Sequence, residues 1–401
     1  MDSQETERGG GRTGRPKVCL VTTTPLIVNF FLRGNLAALA TRYDVTLVLN
    51  LAESAAPNLE GIDLRVVSVR IERKIALFRD MTALVRLVNI FLSGNFRAVH
   101  SVAPKAGLLA MIAAWIARVP VRIHTFQGEA WVTHSGLMRS VLKTADRIVA
   151  RLATHVLVVS TSEQSFLLEQ GILRQGQSTV LANGTISGVD VSRFRPDAQV
   201  RSAMRHHVGL REEDFVFLFL GRLVLDKGVL DLASAFAAIA TEIPQARLLL
   251  AGPDEDSLEK DIRKRAGKAA GKLKFLGMTD KPECILAAAD VVCLPSYREA
   301  FGMVLLEGAA TAIPAIASRI YGITDAVVDG ETGLLHEPRN VPDLVAQMRR
   351  LVANATLRHR LGAAAYTRVH RDFRSELVLN ALLAFYDDLT QDEGNRGARP
   401  R

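Results

Sequence analysis

Two carboxylates and two cations in the second half of the chain have the types and spacing to handle an activated sugar. Glu299 and Glu307 lie eight positions apart in Pro295-Ser-Tyr-Arg-Glu-Ala-Phe-Gly-Met-Val-Leu-Leu-Glu307. The apolar run Val291–Leu294 reads as a short buried strand, and Pro295-Ser296 ends it. Gly302 then opens a helix whose first N–H groups lack an intrahelical acceptor, a natural seat for a phosphate. Glu299 falls on the strand-to-helix loop, where open α/β sheets bind ligands. Glu307 falls about a turn and a half into the helix. One acid can meet a sugar hydroxyl and the other a ribose, with a diphosphate between them. Two glutamates at this spacing are otherwise ordinary solvated helix charges, so the strand end beside them carries the argument.

A second loop points the same way. Strand Phe215–Leu220 runs directly into Gly221-Arg-Leu-Val-Leu-Asp-Lys-Gly228, which places Gly221, Arg222 and Lys227 at a carboxyl strand end. Two cations there can neutralise a diphosphate and stabilise its departure. Either alone is the plain surface cation that flanks many turns; convergence of two loops favours the pair. Leu276 and Gly277 close another strand and offer apolar support for a nucleobase. Asp280 and Asp290 read as helix-end residues and Phe301 as core.

In the first half, His124-Thr-Phe-Gln-Gly128 also follows a strand. His124 there can bind a substrate hydroxyl or assist a proton transfer, although a lone histidine is more often structural. Gly128 lies in the same segment. Lys105, within His100-Ser-Val-Ala-Pro-Lys-Ala-Gly107, sits near a strand end and a helix start, suited equally to an acceptor phosphate or to solvent.

These residues hang on alternating strand-like and helix-like runs, the pattern of parallel α/β sheets. Strands are expected at Val18–Thr22, Val45–Leu49, Leu64–Val69, Ala98–Val102, Val121–Thr125 and His155–Ser160. After a turn-rich linker, Ala182 to Asp190, they resume at Phe215–Leu220, Arg247–Ala251, Leu273–Leu276, Val291–Leu294 and Pro314–Ser318. The fold class is α/β: two Rossmann-like domains, 16–190 and 191–372, facing a cleft. A last helix covers 373–390, and 1–15 and 391–401 read as disordered tails.

Composition fits a globular chain. Of 401 residues, 48% are hydrophobic and 23% charged, which excludes a disordered class. Aromatics at 6% disfavour a base-stacking surface, so no nucleic-acid partner is expected. The net charge of +8 comes in good part from arginines near both ends, and otherwise suits phosphorylated ligands or an anionic membrane. Cys19, Cys284 and Cys293 have no metal spacing and fit a reducing cytoplasm. The N-terminus lacks the apolar core of a signal peptide, and Ala106–Ala117 is too short to span a bilayer. Thr22-Thr-Thr-Pro-Leu-Ile-Val-Asn29 replaces the Gly-rich turn of a dinucleotide site, and no Gly-x-Ser-x-Gly elbow occurs.

The motifs together resemble the retaining nucleotide-sugar glycosyltransferases of the GT-B fold, glycosyltransferase family 4. The matching segments are Gly221-Arg222 with Asp226-Lys227-Gly228, Leu276-Gly277, Ala289-Asp290, Leu294-Pro295-Ser296, Glu299-x-Phe-Gly302, Glu307, Ala317-Ser318 and Asp329-Gly-x-Thr-Gly-Leu334. They cover most of residues 215–335 in the family's order. The resemblance implies that Arg222 and Lys227 bind the donor diphosphate, Glu307 the ribose and Glu299 the transferred sugar. It implies that N–H groups of Met303, Val304 and Leu305 meet the phosphate and that His124 lies near the reacting sugar. It also implies retention of configuration, no metal or other cofactor, and a last helix that crosses back to the first domain. The chain departs from the family at Ala300, where glycine is usual, in its longer linker, and in a Thr22–Asn29 loop without the frequent Gly-Gly pair.

The implied enzyme is a hexosyltransferase that moves a hexose or N-acetylhexosamine from a nucleoside diphosphate to a saccharide, free or lipid-linked. The style resembles bacterial enzymes of lipopolysaccharide, capsule and exopolysaccharide synthesis at the cytoplasmic face of the inner membrane. The apolar and basic segments Ile75–Phe91 and Ala106–Arg118 suit peripheral docking there, though such helices can simply cover the sheet, which is the preferred reading for Ala106–Ala117. The rivals are a UDP-N-acetylglucosamine 2-epimerase-like enzyme and a non-catalytic sugar-nucleotide-binding subunit.

Overall fold

The computed structural model describes residues 14–52, 56–72 and 76–397, with side chains through Leu389. The chain divides into two compact units, Met1–Ser187 together with Ser375–Arg401, and Gly188–Arg374.

Unit 1 is built on a parallel sheet of seven strands: β1 (Lys17–Val21), β2 (Asp44–Leu49), β3 (Arg65–Ser68), β4 (Ala98–Val102), β5 (Val121–Phe126), β6 (His155–Val158) and β7 (Ser178–Val180). Their order is β3-β2-β1-β4-β5-β6-β7. Helix α1 (Pro25–Ile27), a π-helical turn (Val28–Leu32) and α2 (Arg33–Ala40) follow β1. Helices α3 (Leu77–Gly94), α4 (Pro104–Ile116), α5 (Gly136–Leu152) and α6 (Thr161–Glu169) connect later strands and cover one continuous core with Cys19, Val21, Val99 and Val156 of the sheet. Strand alternation sends Leu20 and His100 to the other face. The final helix, Ser375–Gly397, packs with α2. Its Tyr386 hydroxyl meets His100 Nδ1 at 2.8 Å, and its Asp387 accepts from the Tyr43 hydroxyl at 2.6 Å and pairs with Arg42.

Unit 2 repeats the design with six parallel strands: β8 (Phe215–Leu220), β9 (Ala246–Ala251), β10 (Leu273–Gly277), β11 (Val291–Leu294), β12 (Ala315–Ser318) and β13 (Gly333–His336), ordered β10-β9-β8-β11-β12-β13. Its helices are α7 (Ala198–His207), α8 (Val229–Glu242), α9 (Glu259–Ala266), α10 (Pro282–Ala288), α11 (Met303–Ala310), α12 (Ile323–Ala326), α13 (Val341–Ala353) and α14 (Ala355–Asp372). Helix-covered parallel strands are apolar on both faces, which is why β8 reads Phe-Val-Phe-Leu-Phe-Leu without alternation. Strand order reverses between β8 and β11, and between β1 and β4. Such reversals open a crevice at the carboxyl ends of the two strands.

All eleven expected strands form. The three-residue β7 and the four-residue β13 were not expected. The final helix runs to Gly397, past residue 391, where a tail was expected; residues 398–401 and 1–13 lie outside the described residues. Arg15, assigned to the other tail, instead reaches the Ala40 carbonyl at 3.0 Å.

Candidate active site

The loops after β8 and β11 meet because glycines let them. Gly228, at φ +66°, ends the tight turn Leu225–Lys227 and opens α8, and a Cβ on it would collide with the Pro295 carbonyl. Tyr297 N–H donates to the Asp226 carbonyl at 2.8 Å, and the Tyr297 hydroxyl donates to Asp231 of α8 at 2.7 Å. Gly252, at φ +135°, lets the end of β9 press on the Gly221 carbonyl, while Gly221 N–H donates to the Ala251 carbonyl at 2.8 Å. The Gly252 N–H in turn donates to the Gly277 carbonyl at 2.7 Å, so three strand ends are stitched together.

On this frame Lys227 Nζ pairs with Glu299 Oε1, and the Ser296 hydroxyl donates to the same oxygen at 2.9 Å. Ser296 is fully buried, whereas Lys227 and Glu299 keep 19% and 11% exposure and remain reachable from solvent. Arg222 does not join them. Its Nη1 meets Glu255 Oε2 at 2.8 Å, on the loop that follows β9. Glu255 is a site residue that the sequence did not single out, and Ser296, named there only as a strand end and within Leu294-Pro295-Ser296, carried no expected role. Glu255 follows a strand end in Gly252-Pro253-Asp254-Glu255, a signal of the kind used for Arg222.

Gly302, at φ +75°, is the N-cap of α11 and packs on Leu294 and Leu305. The Leu305 N–H donates back to the Gly302 carbonyl at 2.8 Å, which corrects the expectation that it is available to a phosphate. Met303 and Val304 supply the first N–H groups of the helix. Glu307 makes no ion pair among the described residues, and burial pushes its carboxyl up to about 7, with Arg193 lowering it and Glu283 raising it. Lys227 and Glu299 thus come together, and Arg222 pairs with Glu255 instead. Leu276 is half-buried and Gly277 exposed at the irregular end of β10. Phe301 is core, edge-on to Phe373 at 5.5 Å, and Asp290 is structural, accepting from Val216 N–H and Arg201.

In unit 1 the expected polar residues turn inward. His124 does not open at the strand end: it is buried beneath α4, its Nδ1 2.8 Å from the Ser101 hydroxyl and its ring where a Cβ on Gly107 would sit. Burial, with His100 adding to it, lowers its pKa to about 3, so the imidazole is neutral. Lys105 is paired with Asp80 at 2.6 Å, which ties α4 to α3. Gly128, at φ +76°, donates its N–H to buried Glu163 at 2.7 Å. Glu163 also accepts from Val159 N–H at 2.9 Å; burial, then neighbouring Glu129, holds its carboxyl well above the usual range. The hydroxyls of Thr22 and Thr24 and the amide nitrogen of Asn50, at the ends of β1 and β2, are buried and have no hydrogen-bond partner among the described residues. Among the described residues no group of three or more His, Cys, Asp or Glu is placed to hold a metal ion.

Two parallel α/β units of this topology, each with its loops gathered at a strand-order reversal, define the GT-B fold. The family model for glycosyl transferases group 1 matches residues 200–368, and the glycosyl transferase 4-like domain matches residues 28–184. The chain belongs to these family 4 type glycosyltransferases and is an enzyme of that class. It is 28% identical to the capsular polysaccharide biosynthesis glycosyltransferase CapM of Staphylococcus aureus, over 86% of this chain and 91% of CapM. It is 27% identical to the UDP-Gal:alpha-D-GlcNAc-diphosphoundecaprenol alpha-1,3-galactosyltransferase of Escherichia coli, over 71% of this chain and 74% of that enzyme. Among solved structures, the sucrose-phosphate synthase of Thermosynechococcus elongatus superposes with a TM-score of 0.80 at 22% identity, covering 94% of this chain and all of that one. Anabaena HepE in complex with UDP and glucose superposes with a TM-score of 0.76 at 18% identity, covering 93% of this chain and all of that one.

Proposed function

We propose that this enzyme transfers a hexose or N-acetylhexosamine from a nucleoside-diphosphate sugar to a saccharide acceptor, lipid-linked, in surface polysaccharide synthesis. The transfer retains anomeric configuration and uses no metal. Unit 2 binds the donor and unit 1 recognises the acceptor, at the cytoplasmic face of the inner membrane. The names of the capsule and diphosphoundecaprenol relatives support this substrate class, as does the UDP bound to HepE.

The observation that carries the reading is the Lys227–Glu299 pair, fixed where the β8 and β11 loops are stitched together. As the bond from the sugar to the diphosphate breaks, negative charge grows on the phosphate. Lys227, Arg222 and the start of α11 are preorganised cationic and N–H groups that stabilise it. Glu299, held by Ser296 and Lys227, is left to orient the sugar hydroxyls, and Glu307 the ribose diol. In unit 1 the unsatisfied Thr22, Thr24 and Asn50 groups are the hydrogen-bonding partners offered to acceptor hydroxyls, since leaving such groups unpaired is costly. Neutral, enclosed His124 has a packing role.

The test is to incubate the enzyme with candidate sugar nucleotides, with and without lipid-linked saccharide, in the presence of a metal chelator. The expected result is UDP or GDP released only with acceptor, an acceptor heavier by one sugar, and an unchanged anomeric configuration by NMR. Isomerised donor without transfer would replace this reading with epimerisation, and binding without turnover would replace it with a carrier role.

A further inference from the structure

After β13 the chain reverses through Glu337-Pro338-Arg339-Asn340. Asn340 N–H donates to the Glu337 carbonyl at 3.2 Å and closes a four-residue turn whose second residue is proline. The third residue stands at φ +63°, a conformation that glycine or asparagine adopts with least strain, yet it is Arg339. Arginine is not needed to hold the turn. The Asn340 side chain, as N-cap of α13, accepts from Asp343 N–H at 3.0 Å, and the Asp343 carboxylate accepts from Glu337 N–H at 2.8 Å. A long side chain kept in a strained conformation that the turn does not require marks a function for that side chain.

What Arg339 touches is Tyr297. Its guanidinium carbon lies 4.1 Å from the centre of the Tyr297 ring, a cation over an aromatic face. Glu337 of the same turn is taken up by Arg319 at 3.1 Å, and Arg339 makes no ion pair among the described residues. Tyr297 is half-buried in the loop after β11, beside Ser296 and two positions before Glu299. One side of that loop is bound to the β8–α8 segment. The Tyr297 hydroxyl donates to Asp231 at 2.7 Å, its N–H donates to the Asp226 carbonyl at 2.8 Å, and Arg298 pairs with the Asp226 carboxylate at 3.5 Å. Arg339 adds a hold from the β13 turn, so the loop bearing Glu299 is gripped from two strand ends.

We propose that Arg339 is a positioning residue for the transfer: its guanidinium, aimed by a strained turn onto the Tyr297 ring, fixes the loop that presents Glu299 to the transferred sugar. This role rests on the reading of Glu299 as the sugar-orienting carboxylate. It adds a residue that lies outside every motif and acts on the sugar alone, since neither the diphosphate nor the ribose depends on Tyr297.

The test compares binding of UDP and GDP with binding of their sugars by calorimetry on the full chain, alongside steady-state kinetics. Arg339→Gly removes the guanidinium and eases the turn, so its melting temperature should be unchanged or higher. Its affinity for UDP or GDP should be unchanged, while affinity for the sugar nucleotide and kcat should each fall by about two- to fivefold, the worth of an exposed cation–π contact. Arg339→Lys should recover most of the loss. In a Tyr297→Leu background, which has no ring face, Arg339→Gly should change nothing further; in a Tyr297→Phe background, which keeps the ring, its effect should persist. Full activity of Arg339→Gly, a lower melting temperature with all functions falling in step, equal loss for nucleotide and sugar nucleotide, or an undiminished effect in the Tyr297→Leu background would each overturn the proposal. Glu299→Gln separates the two readings. If it keeps full sugar affinity and turnover, the sugar role of Glu299 fails and the positioning role falls with it; if it loses both while Arg339→Gly loses neither, only the positioning role falls.

Discussion

At the carboxyl ends of β8 and β11, unit 2 holds Lys227 and Glu299 where solvent still reaches them. Within β4 and β5, unit 1 places Ser101 and His124 under α4 and closes them off. The sheets follow one plan, yet unit 2 spends its polarity on loops while unit 1 buries polar groups and exposes apolar helix faces. Among the described residues, twelve of the fifteen exposed large apolar side chains belong to unit 1 and three to unit 2. Under the proposed function, the difference suits a small, highly charged donor that needs preorganised counter-charge and a larger acceptor met by unit 1.

The largest effect should come from Lys227. Removing a preorganised charge from a developing anion costs about 10²–10³ in turnover. Lys227→Ala is therefore expected to lower kcat by that range at saturating donor. Arg222→Ala, more exposed and already shared with Glu255, should cost about tenfold or less. Steady-state kinetics of the two variants decides; equal losses would mean that the Glu255 pairing does not survive donor binding.

Next comes the stitching itself. Gly228→Ala forces a Cβ against the Pro295 carbonyl at a positive φ and should cost about 2–4 kcal/mol, with turnover falling in step as the two loops separate. Denaturant unfolding with parallel assays checks this. A stable variant with normal kcat would show that the loop junction is scaffolding only. This junction also explains why unit 2 was legible in the sequence. Glycines at 221, 228 and 302 mark backbone geometry that only nearby residues create, so motif and structure coincide. Unit 1 was less legible. His124 lies inside β5 and not after it, and its neighbours in sequence do not tell whether it opens to a ligand or turns under a helix; only the packing of Gly107 against its ring decides. Lys105 was likewise read without Asp80, which is twenty-five positions away.

His124 supplies a smaller effect of known sign. Its pKa of about 3 in the folded chain lies below its ordinary 6.5, so the unfolded chain binds the extra proton between those values. Its contribution is present above pH 6.5 and is lost as pH falls towards 3, at about 1.4 kcal/mol per pH unit. Asp146, pushed up to about 7 mainly by burial, acts oppositely: its contribution is full below about 3.8 and is lost as pH rises through 7. Between about pH 3.8 and 6.5 these two contributions oppose each other, and His124→Gln should flatten the acid limb relative to the native protein. If kcat/KM of that variant loses a titration between pH 5.5 and 7.5, His124 is a proton carrier after all.

Glu307 tests the same balance from unit 2, with the smallest effect. Burial raises its carboxyl to about 7 from an ordinary 4.5, so the folded chain holds a proton that the unfolded chain has lost. The favourable contribution is complete below pH 4.5 and disappears as pH rises through 7, leaving a carboxylate that the unliganded fold tolerates poorly. The full span corresponds to about 3 kcal/mol, and residual contact with water trims this to the order of 1 kcal/mol. Glu307→Gln should thus raise the melting temperature at pH 8, leave it unchanged near pH 4, and weaken nucleoside-diphosphate binding by calorimetry, because the amide is a poorer acceptor for a ribose diol than a carboxylate. Stabilisation together with undiminished nucleotide affinity would place the ribose elsewhere, since a carboxylate retained at a cost to the fold needs a ligand to justify it.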